Sequence, residues 1–472
     1  MSQSVMSSKG APLNAEPAGT AERAQQHLPP KSYADAVYQN GVNGTNGTLA
    51  AASPHGSSGL PGTDDRKVVF EKHVNASGEQ ITSVKPQEGY EESLKHNKAT
   101  TLGKEENGEK KQDESLASGR QAGKGWEKSA IRWAPMNVPL QRRLQTVAVL
   151  WHTTTIAVCL TIFFFLCSIP LLWPLLIPYL VHALVFDNTA TNGRLKRRSD
   201  FLRRSKFWSL FASYFPARLH RTVELPPTRK YIFGYHPHGI ISHGAFAAFS
   251  TEALGFSDLF PGITNTLLTL DSNFRVPVYR DYALAMGLAS VSRESIQNIL
   301  SKGGMNRQGM GRAVTIVIGG ARESLESKPH TLRLLLKTRK GFVKEAIRMG
   351  ADLVPVLAFG ENDLYDQVSS EEHPFIHKFQ LLVKKFVGFT IPLFHARGVF
   401  NYDVGLMPYR RTVNIVVGRP IQVIQQGGPE GQVDPAYLDE IHEKYVKELI
   451  RVWDAHKDTF AQDRESELQI IG

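Results

Sequence analysis

The sequence predicts an α/β fold, and three apolar runs with the helical patterns between them predict it. Tyr231–Tyr235, Ala313–Ile318 and Leu353–Phe359 are short and rich in aromatic and β-branched residues, the pattern of buried strands. They alternate with amphipathic helical patterns at Ser292–Leu300 and Gly341–Met349. That order builds a mainly parallel sheet covered by helices on both faces. A further strand-like run, Val413–Val417, and a last helix capped by Asp434 with Pro435 in its first turn complete a domain bounded at residues 229–472. In that helix Leu438, Ile441, Tyr445, Leu449 and Val452 make one packing stripe.

Upstream, the 472-residue chain changes character three times. Residues 1–125 are dominated by Ser, Gly, Asn, Lys, Glu, Gln and Pro, with Tyr33, Tyr38, Phe70 and Tyr90 as the aromatics. So little apolar surface does not offset chain entropy, and a disordered cytosolic tail is expected. From Leu144 to Phe186 there is no Asp, Glu, Lys or Arg, a run about twice the ~20 residues that one membrane span needs. Ser168, Pro170 and Pro174 interrupt it near its middle, with Trp173 suited to the far interface. Lys128, Arg132, Arg142 and Arg143 flank it on one side and Arg194, Lys196, Arg197 and Arg198 on the other. Residues 126–190 therefore read as a membrane hairpin with basic flanks and both ends cytosolic. Residues 191–228 mix aromatic and basic side chains, from Phe201 to Phe215, and are expected to lie in the headgroup region.

A net charge of +10 calls for an anionic partner. Because the basic residues cluster beside the apolar run and no nucleic-acid-binding signature is present, a membrane surface or a phosphorylated co-substrate is favoured, with no nucleic acid. The two cysteines, Cys159 and Cys167, both lie in the apolar run; on a helix they would stand roughly 12 Å apart along the axis, too far for a disulfide.

Chemistry is expected where the first strand ends, in His236-Pro-His-Gly239 followed by His243. Proline restrains the backbone on both sides, and Gly239 permits a sharp turn or a close approach to substrate. One imidazole could then serve as a general base, although spacing alone leaves open that both are polar turn residues. The second strand ends in Gly319-Gly-Ala-Arg-Glu323. If the two strands are parallel, both ends share the sheet edge where open α/β sheets bind ligands. Glu323 could orient a histidine and Arg322 could hold an anion; a surface ion pair at a helix start explains that run equally well. Arg339 and Lys340, opening the next helix, could meet phosphate groups. The glycine-rich stretch Lys302–Arg312 lacks the Gly-Lys-Ser/Thr of a P-loop.

Three ordered blocks, His236-Pro-His-Gly239, Gly319-Gly-Ala-Arg-Glu323 and Arg339-x-Gly-Phe through Leu353-Val-Pro-Val to Phe359-Gly-Glu361, resemble the diacylglycerol acyltransferase type 2 family, in particular its fungal-type members. The resemblance runs from the hairpin to about Ile421 and takes in Asp271-Ser-Asn-Phe274, Val291-Ser-Arg-Glu-Ser295 and Val417-Gly-Arg-Pro-Ile421. It implies a glycerolipid-acyltransferase-like sheet and an enzyme of the endoplasmic reticulum membrane or lipid droplet surface. Such an enzyme transfers a fatty acyl group from acyl-CoA to diacylglycerol, making triacylglycerol. Glycerolipid acyltransferases are more distantly similar: their His is followed five residues later by Asp, but here Ile241 and His243 occupy those offsets from His236 and His238.

The expected mechanism is direct transfer, with His238 as base, assisted by His236 and polarised by Glu323. Gly239, Arg293, Gly319, Gly320, Arg322, Arg339 and Lys340 are expected to bind substrate. No cofactor beyond the co-substrate acyl-CoA and no metal is expected. There is no Gly-x-Ser-x-Gly elbow and no cysteine outside the hairpin to carry a covalent acyl group. Three rivals stay open: monoacylglycerol or fatty alcohol as acceptor, a metal on His236, His238 and His243, and a non-enzymatic lipid-droplet scaffold. Oligomeric state stays open, a homo-oligomer included.

Overall fold

A computed structural model describes residues 68–74, 78–86, 133–134, 138–367 and 394–472. Thirteen strands are described: β1 (Val68–Val74), β2 (Gln80–Pro86), β3 (Arg218–Arg221), β4 (Lys230–His236), β5 (Thr264–Thr269), β6 (Ala289–Ser290), β7 (Arg312–Val317), β8 (Arg333–Leu335), β9 (Ala351–Phe359), β10 (Asp366–Gln367), β11 (Phe394–His395), β12 (Asn414–Val417) and β13 (Gln469–Ile471). Nine of them form one sheet in the order β1-β2-β3-β12-β9-β4-β7-β5-β6. At its centre β9, β4, β7, β5 and β6 are parallel neighbours, as the apolar runs require, while β12 joins β9 antiparallel and β3 lies parallel to β12. The fold is therefore α/β with a mostly parallel, mixed sheet.

Register puts Tyr235 of β4 beside Val317 of β7 and Val356 of β9, so these three strands end together. The His-Pro-His turn, the Gly319–Glu323 run and the Gly360–Glu361 run accordingly leave the same edge of adjacent strands. Such an edge is where open α/β sheets take their ligands.

Helix α1 (Leu140–Cys167) precedes the domain, followed by α2 (Trp173–Val181), α3 (Lys206–Tyr214), α4 (Arg293–Ser301), α5 (Gly320–Glu323), α6 (Gly341–Met349) and α7 (Pro435–Phe460). One face of the sheet buries Phe233, Phe249, Phe256 and Phe260 with Trp208 and Phe211 of α3; the other buries Ile296 and Ile299 of α4, Ile347 of α6 and Tyr445 of α7. Asp434 caps α7 as its sequence indicates, accepting from the Ala436 N–H.

Among the described residues one helix, α1, is long and apolar enough to cross a membrane, judged by length and composition; the apolar stretch Pro170–Phe186 that follows is shorter. Phe164, Phe165, Leu171, Leu175, Val185 and Phe186 are exposed along this segment. The first turns of α1 are fixed to the domain: Arg410, stacked over Tyr214, donates to Gln145, to the Arg142 carbonyl and to Thr146. Of the basic flanks, Lys128 and Arg132 lie outside the described residues.

Two expectations need correction. β1 and β2 fall inside the 1–125 segment expected to be disordered, yet they pair with each other and β2 pairs with β3, burying Ile81 and Val84. Composition averaged over the whole tail hid two seven-residue strands on either side of Gly78; most of the rest of that tail lies outside the described residues. Of the aromatic residues assigned to the headgroup region, Trp208, Phe211, Tyr214 and Phe215 are buried in the core, with α3 packed against α1. A nine-residue helix docked on a sheet buries one face whatever its composition suggests; Phe201 and Leu202 stay exposed.

Candidate active site

Each of the three histidines at and beyond the end of β4 has its own surroundings. His236 is fully buried on the α7 side of the sheet, its Nε2 2.9 Å from the Tyr445 hydroxyl, which itself donates to the Gly234 carbonyl at 3.1 Å. A phenol has one proton, so His236 must donate through Nε2, leaving its basic Nδ1 buried without a partner. Burial pushes its pKa down to about 3. His243 is also buried, stacked between Phe215 and Tyr365, with Nε2 2.8 Å from the Tyr365 hydroxyl. Each imidazole thus has different partners, and among the described residues no three His, Cys, Asp or Glu side chains converge as a metal site.

His238 differs from both. It is partly exposed, in a turn otherwise buried from Tyr231 to Ile240, and its Nδ1 lies 3.0 Å from the Gly239 carbonyl. A carbonyl only accepts, so Nδ1 carries the proton and the lone pair of the neutral ring stands on Nε2. Burial lowers the pKa of this imidazole too, keeping it neutral near pH 7. A neutral, partly accessible imidazole with its acceptor nitrogen free has the properties of a general base.

Glu323, 2 % exposed, lies directly under the turn. Its Oε1 accepts from the His238 backbone N–H at 2.7 Å and its Oε2 from the Leu335 N–H at 2.8 Å. The carboxylate therefore holds the backbone of the turn to β8, and no bond to an imidazole ring is formed. A Cβ on Gly319 would collide with this carboxyl group, which is why the strand ends in glycine there. Burial raises the Glu323 pKa to about 7 against the pull of the two N–H groups and of Arg339.

The other expected substrate contacts divide into two groups. Gly239, at φ 58°, Gly319, Gly320, Arg322 and Arg339 all lie at the sheet edge around the turn. Arg322 and Arg339 are exposed; Arg339 reaches the Gly319 carbonyl at 3.4 Å, and Arg322 makes no hydrogen bond or ion pair among the described residues. Lys340 instead pairs with Asp439 of α7 at 2.7 Å. Arg293 is held by the Pro429 carbonyl at 2.6 Å and by Glu430 at 3.1 Å, and it is not brought to the turn. A cleft of about 800 Å³ opens beside Pro237, bordered by His330, Asn362, Arg411, Trp453 and Arg464.

Sequence reasoning gave no role to two residues of this site. Tyr445 sat in a stripe assigned to packing, where a hydroxyl among aliphatic residues is the available signal. Glu361 belonged to a recognised block without a function of its own, although an acid two residues past the nine-residue buried strand β9 is itself a signal. Its carboxylate is buried and its side chain packs against Gly239 of the turn.

The sequence profile described as Diacylglycerol acyltransferase matches residues 164–471. Among curated proteins the chain is similar to "Diacylglycerol O-acyltransferase 2A" of Umbelopsis ramanniana, 50% identical over 341 residues, covering 72% of this chain and 94% of that protein. It is 43% identical to "Diacylglycerol O-acyltransferase 2" of Dictyostelium discoideum, covering 72% of this chain and 99% of that one. It is also 44% identical to "2-acylglycerol O-acyltransferase 1" of Bos taurus, with 70% and 96% covered. No solved structure matches it significantly.

Proposed function

The chain belongs to the diacylglycerol acyltransferase family, and we propose from that premise that His238 is the general base of an acyl-CoA-dependent diacylglycerol O-acyltransferase. The protein is an acyltransferase: the acyl group leaves acyl-CoA for the free hydroxyl of diacylglycerol, giving triacylglycerol. The observation that carries the assignment of the base is the His238 ring itself, with Nδ1 committed to the Gly239 carbonyl and Nε2 free.

In this reading Nε2 takes the hydroxyl proton as the oxygen attacks the thioester carbonyl. The tetrahedral intermediate collapses with loss of the CoA thiolate, and the imidazolium returns the proton to sulfur. His236 anchors the strand end through Tyr445, and Glu323 fixes the His238 backbone. A base in position contributes about 10²- to 10⁴-fold. Arg322 and Arg339, exposed cations flanking Glu323 at the same edge, support a site for the donor's phosphates.

Membrane association follows from the family and from α1. The finer reading has α1 and Pro170–Phe186 as two arms of a hairpin with both ends cytosolic. The exposed apolar side chains of both arms and Phe201 support it. Residence at the endoplasmic reticulum or a lipid droplet would bring the site to its water-insoluble acceptor. Similarity to a 2-acylglycerol acyltransferase makes monoacylglycerol the acceptor to set against diacylglycerol.

The test is purified full-length protein with labelled acyl-CoA and each acceptor in turn. Wild type should form triacylglycerol, and His238→Ala should form none while still inserting into membranes. Near-normal turnover by a well-inserted His238→Ala protein would remove His238 from the role of base.

A further inference from the structure

We propose that Glu361 is a positioning residue for acyl transfer, its buried carboxylate fixing the outgoing arm of the His-Pro-His turn as Glu323 fixes the incoming one; this rests on His238 being the base. Glu361 is 2 % exposed. Its Oε2 accepts from the Tyr235 hydroxyl at 2.8 Å and from the Gly244 N–H at 2.9 Å. Tyr235 precedes the turn in β4, and Gly244 lies just beyond it, so one carboxylate oxygen ties the two ends of the turn together.

Two glycines make room for it. A Cβ at Gly239 would stand 2.8 Å from Glu361 Cγ, and one at Gly244 would stand 2.6 Å from Oε2. The residue after the base thus packs directly on this side chain. Gly239 also supplies the carbonyl that holds the His238 proton on Nδ1. A shift of Gly239 would therefore turn the imidazole and move Nε2 away from the acceptor hydroxyl.

Among the described residues no lysine or arginine forms an ion pair with Glu361. Burial raises the Glu361 pKa to about 7 against the pull of the Tyr235 hydroxyl and the Gly244 N–H, so the side chain serves the turn as an acceptor and not as half of an ion pair. An amide could accept the same two hydrogen bonds, so what the turn requires of residue 361 is a buried acceptor of that reach.

The experiment uses the full-length enzyme in membranes and the variants E361A, E361Q, Y235F and H238A, reading kcat, both KM values and the melting temperature. E361A should lower kcat about 100-fold, the cost of a misplaced catalytic group, with KM for acyl-CoA and diacylglycerol within about threefold of wild type. E361Q keeps an oxygen that accepts from Tyr235 and Gly244, so it should recover most of that loss. Y235F removes one donor and should reduce kcat severalfold without altering membrane insertion; it decides the matter if E361A does not fold. The inference is overturned if E361A or Y235F turns over as wild type does. It is overturned equally if E361Q is as slow as E361A although both insert and melt normally. A dead H238A beside a normal E361A removes this inference alone, whereas an active H238A removes the assignment of the base.

Discussion

Replacing Tyr445 with phenylalanine separates an anchoring from a catalytic role for His236. The tyrosine hydroxyl takes the His236 Nε2 proton at 2.9 Å and gives its own to the Gly234 carbonyl at 3.1 Å. His236 has no other partner, since its Nδ1 is already buried and unpaired. A Cβ on Gly234 would collide with the same hydroxyl, so β4 passes directly against it. Y445F therefore strands a buried imidazole donor at a cost of about 1–3 kcal/mol. For a domain of this size that lowers the melting temperature by roughly 3–10 °C. The backbone of His238 is held separately by Glu323, so kcat should stay within about threefold of wild type. Thermal unfolding in detergent together with initial rates in proteoliposomes measures both. A fall in kcat of about 100-fold at an unchanged melting temperature would show that His236 and Tyr445 relay a proton, and would refute the anchoring argument.

Two further outcomes follow from the same edge of the sheet. The Glu323 carboxyl is raised from 4.5 to about 7 by burial, so the folded chain keeps a proton that the unfolded chain has already released; the resulting stability is full below 4.5 and is lost as pH rises through 7. Glu323→Gln does not titrate, so the stability of wild type relative to it should fall by up to about 3 kcal/mol between about pH 5 and pH 8, and a pH-independent difference would mean an ordinary carboxyl. Removing the two exposed guanidiniums in R322A/R339A should raise KM for acyl-CoA about tenfold at constant kcat and melting temperature, at somewhat under 1 kcal/mol for each exposed contact. An unchanged KM would send the phosphates to the cleft bordered by Arg411 and Arg464.

The central strands were legible because each is buried on both faces and so reads as an unbroken apolar run. Once β4 and β7 are parallel, the meeting of His238 with Glu323 follows. The nature of that meeting was not legible: a sequence shows that an acid and a histidine share an edge, and the bond goes to a backbone N–H that carries no residue signature. The strands beyond β9 were harder. β12 is as apolar as its neighbours, and nothing in Asn414–Val417 reports its antiparallel direction. The β1–β2 pair was lost in a polar tail because two seven-residue strands weigh little in a composition over a hundred residues long. Arg293 and Lys340 carried the right charge for an anion, but the acids that neutralise them, Glu430 and Asp439, come from segments more than ninety residues away in sequence.

The way His238 is held also bears on how strong a base the reaction needs. In a serine hydrolase triad a carboxylate sits on the imidazole Nδ1 and stabilises the imidazolium that forms. Here Nδ1 faces the neutral Gly239 carbonyl, and both buried carboxylates are spent on backbone N–H groups, with a tyrosine hydroxyl as the one side-chain donor. The imidazolium therefore receives a dipole in place of a charge, and burial lowers its pKa. Such a base can work only if the proton does not linger on it. Transfer to an alcohol meets that condition: the leaving group is a thiolate, whose conjugate acid has a pKa near 8.5, so it departs without prior protonation and then accepts the proton from the ring. A weak, rigidly placed base thus suits an acyl thioester, and the same site should transfer poorly from an oxygen ester, whose alkoxide leaving group must be protonated as it goes. Comparing acyl-CoA with the matching oxygen-ester analogue checks this. Equal turnover of the two would mean that the ring is a far stronger acid–base catalyst than its surroundings allow.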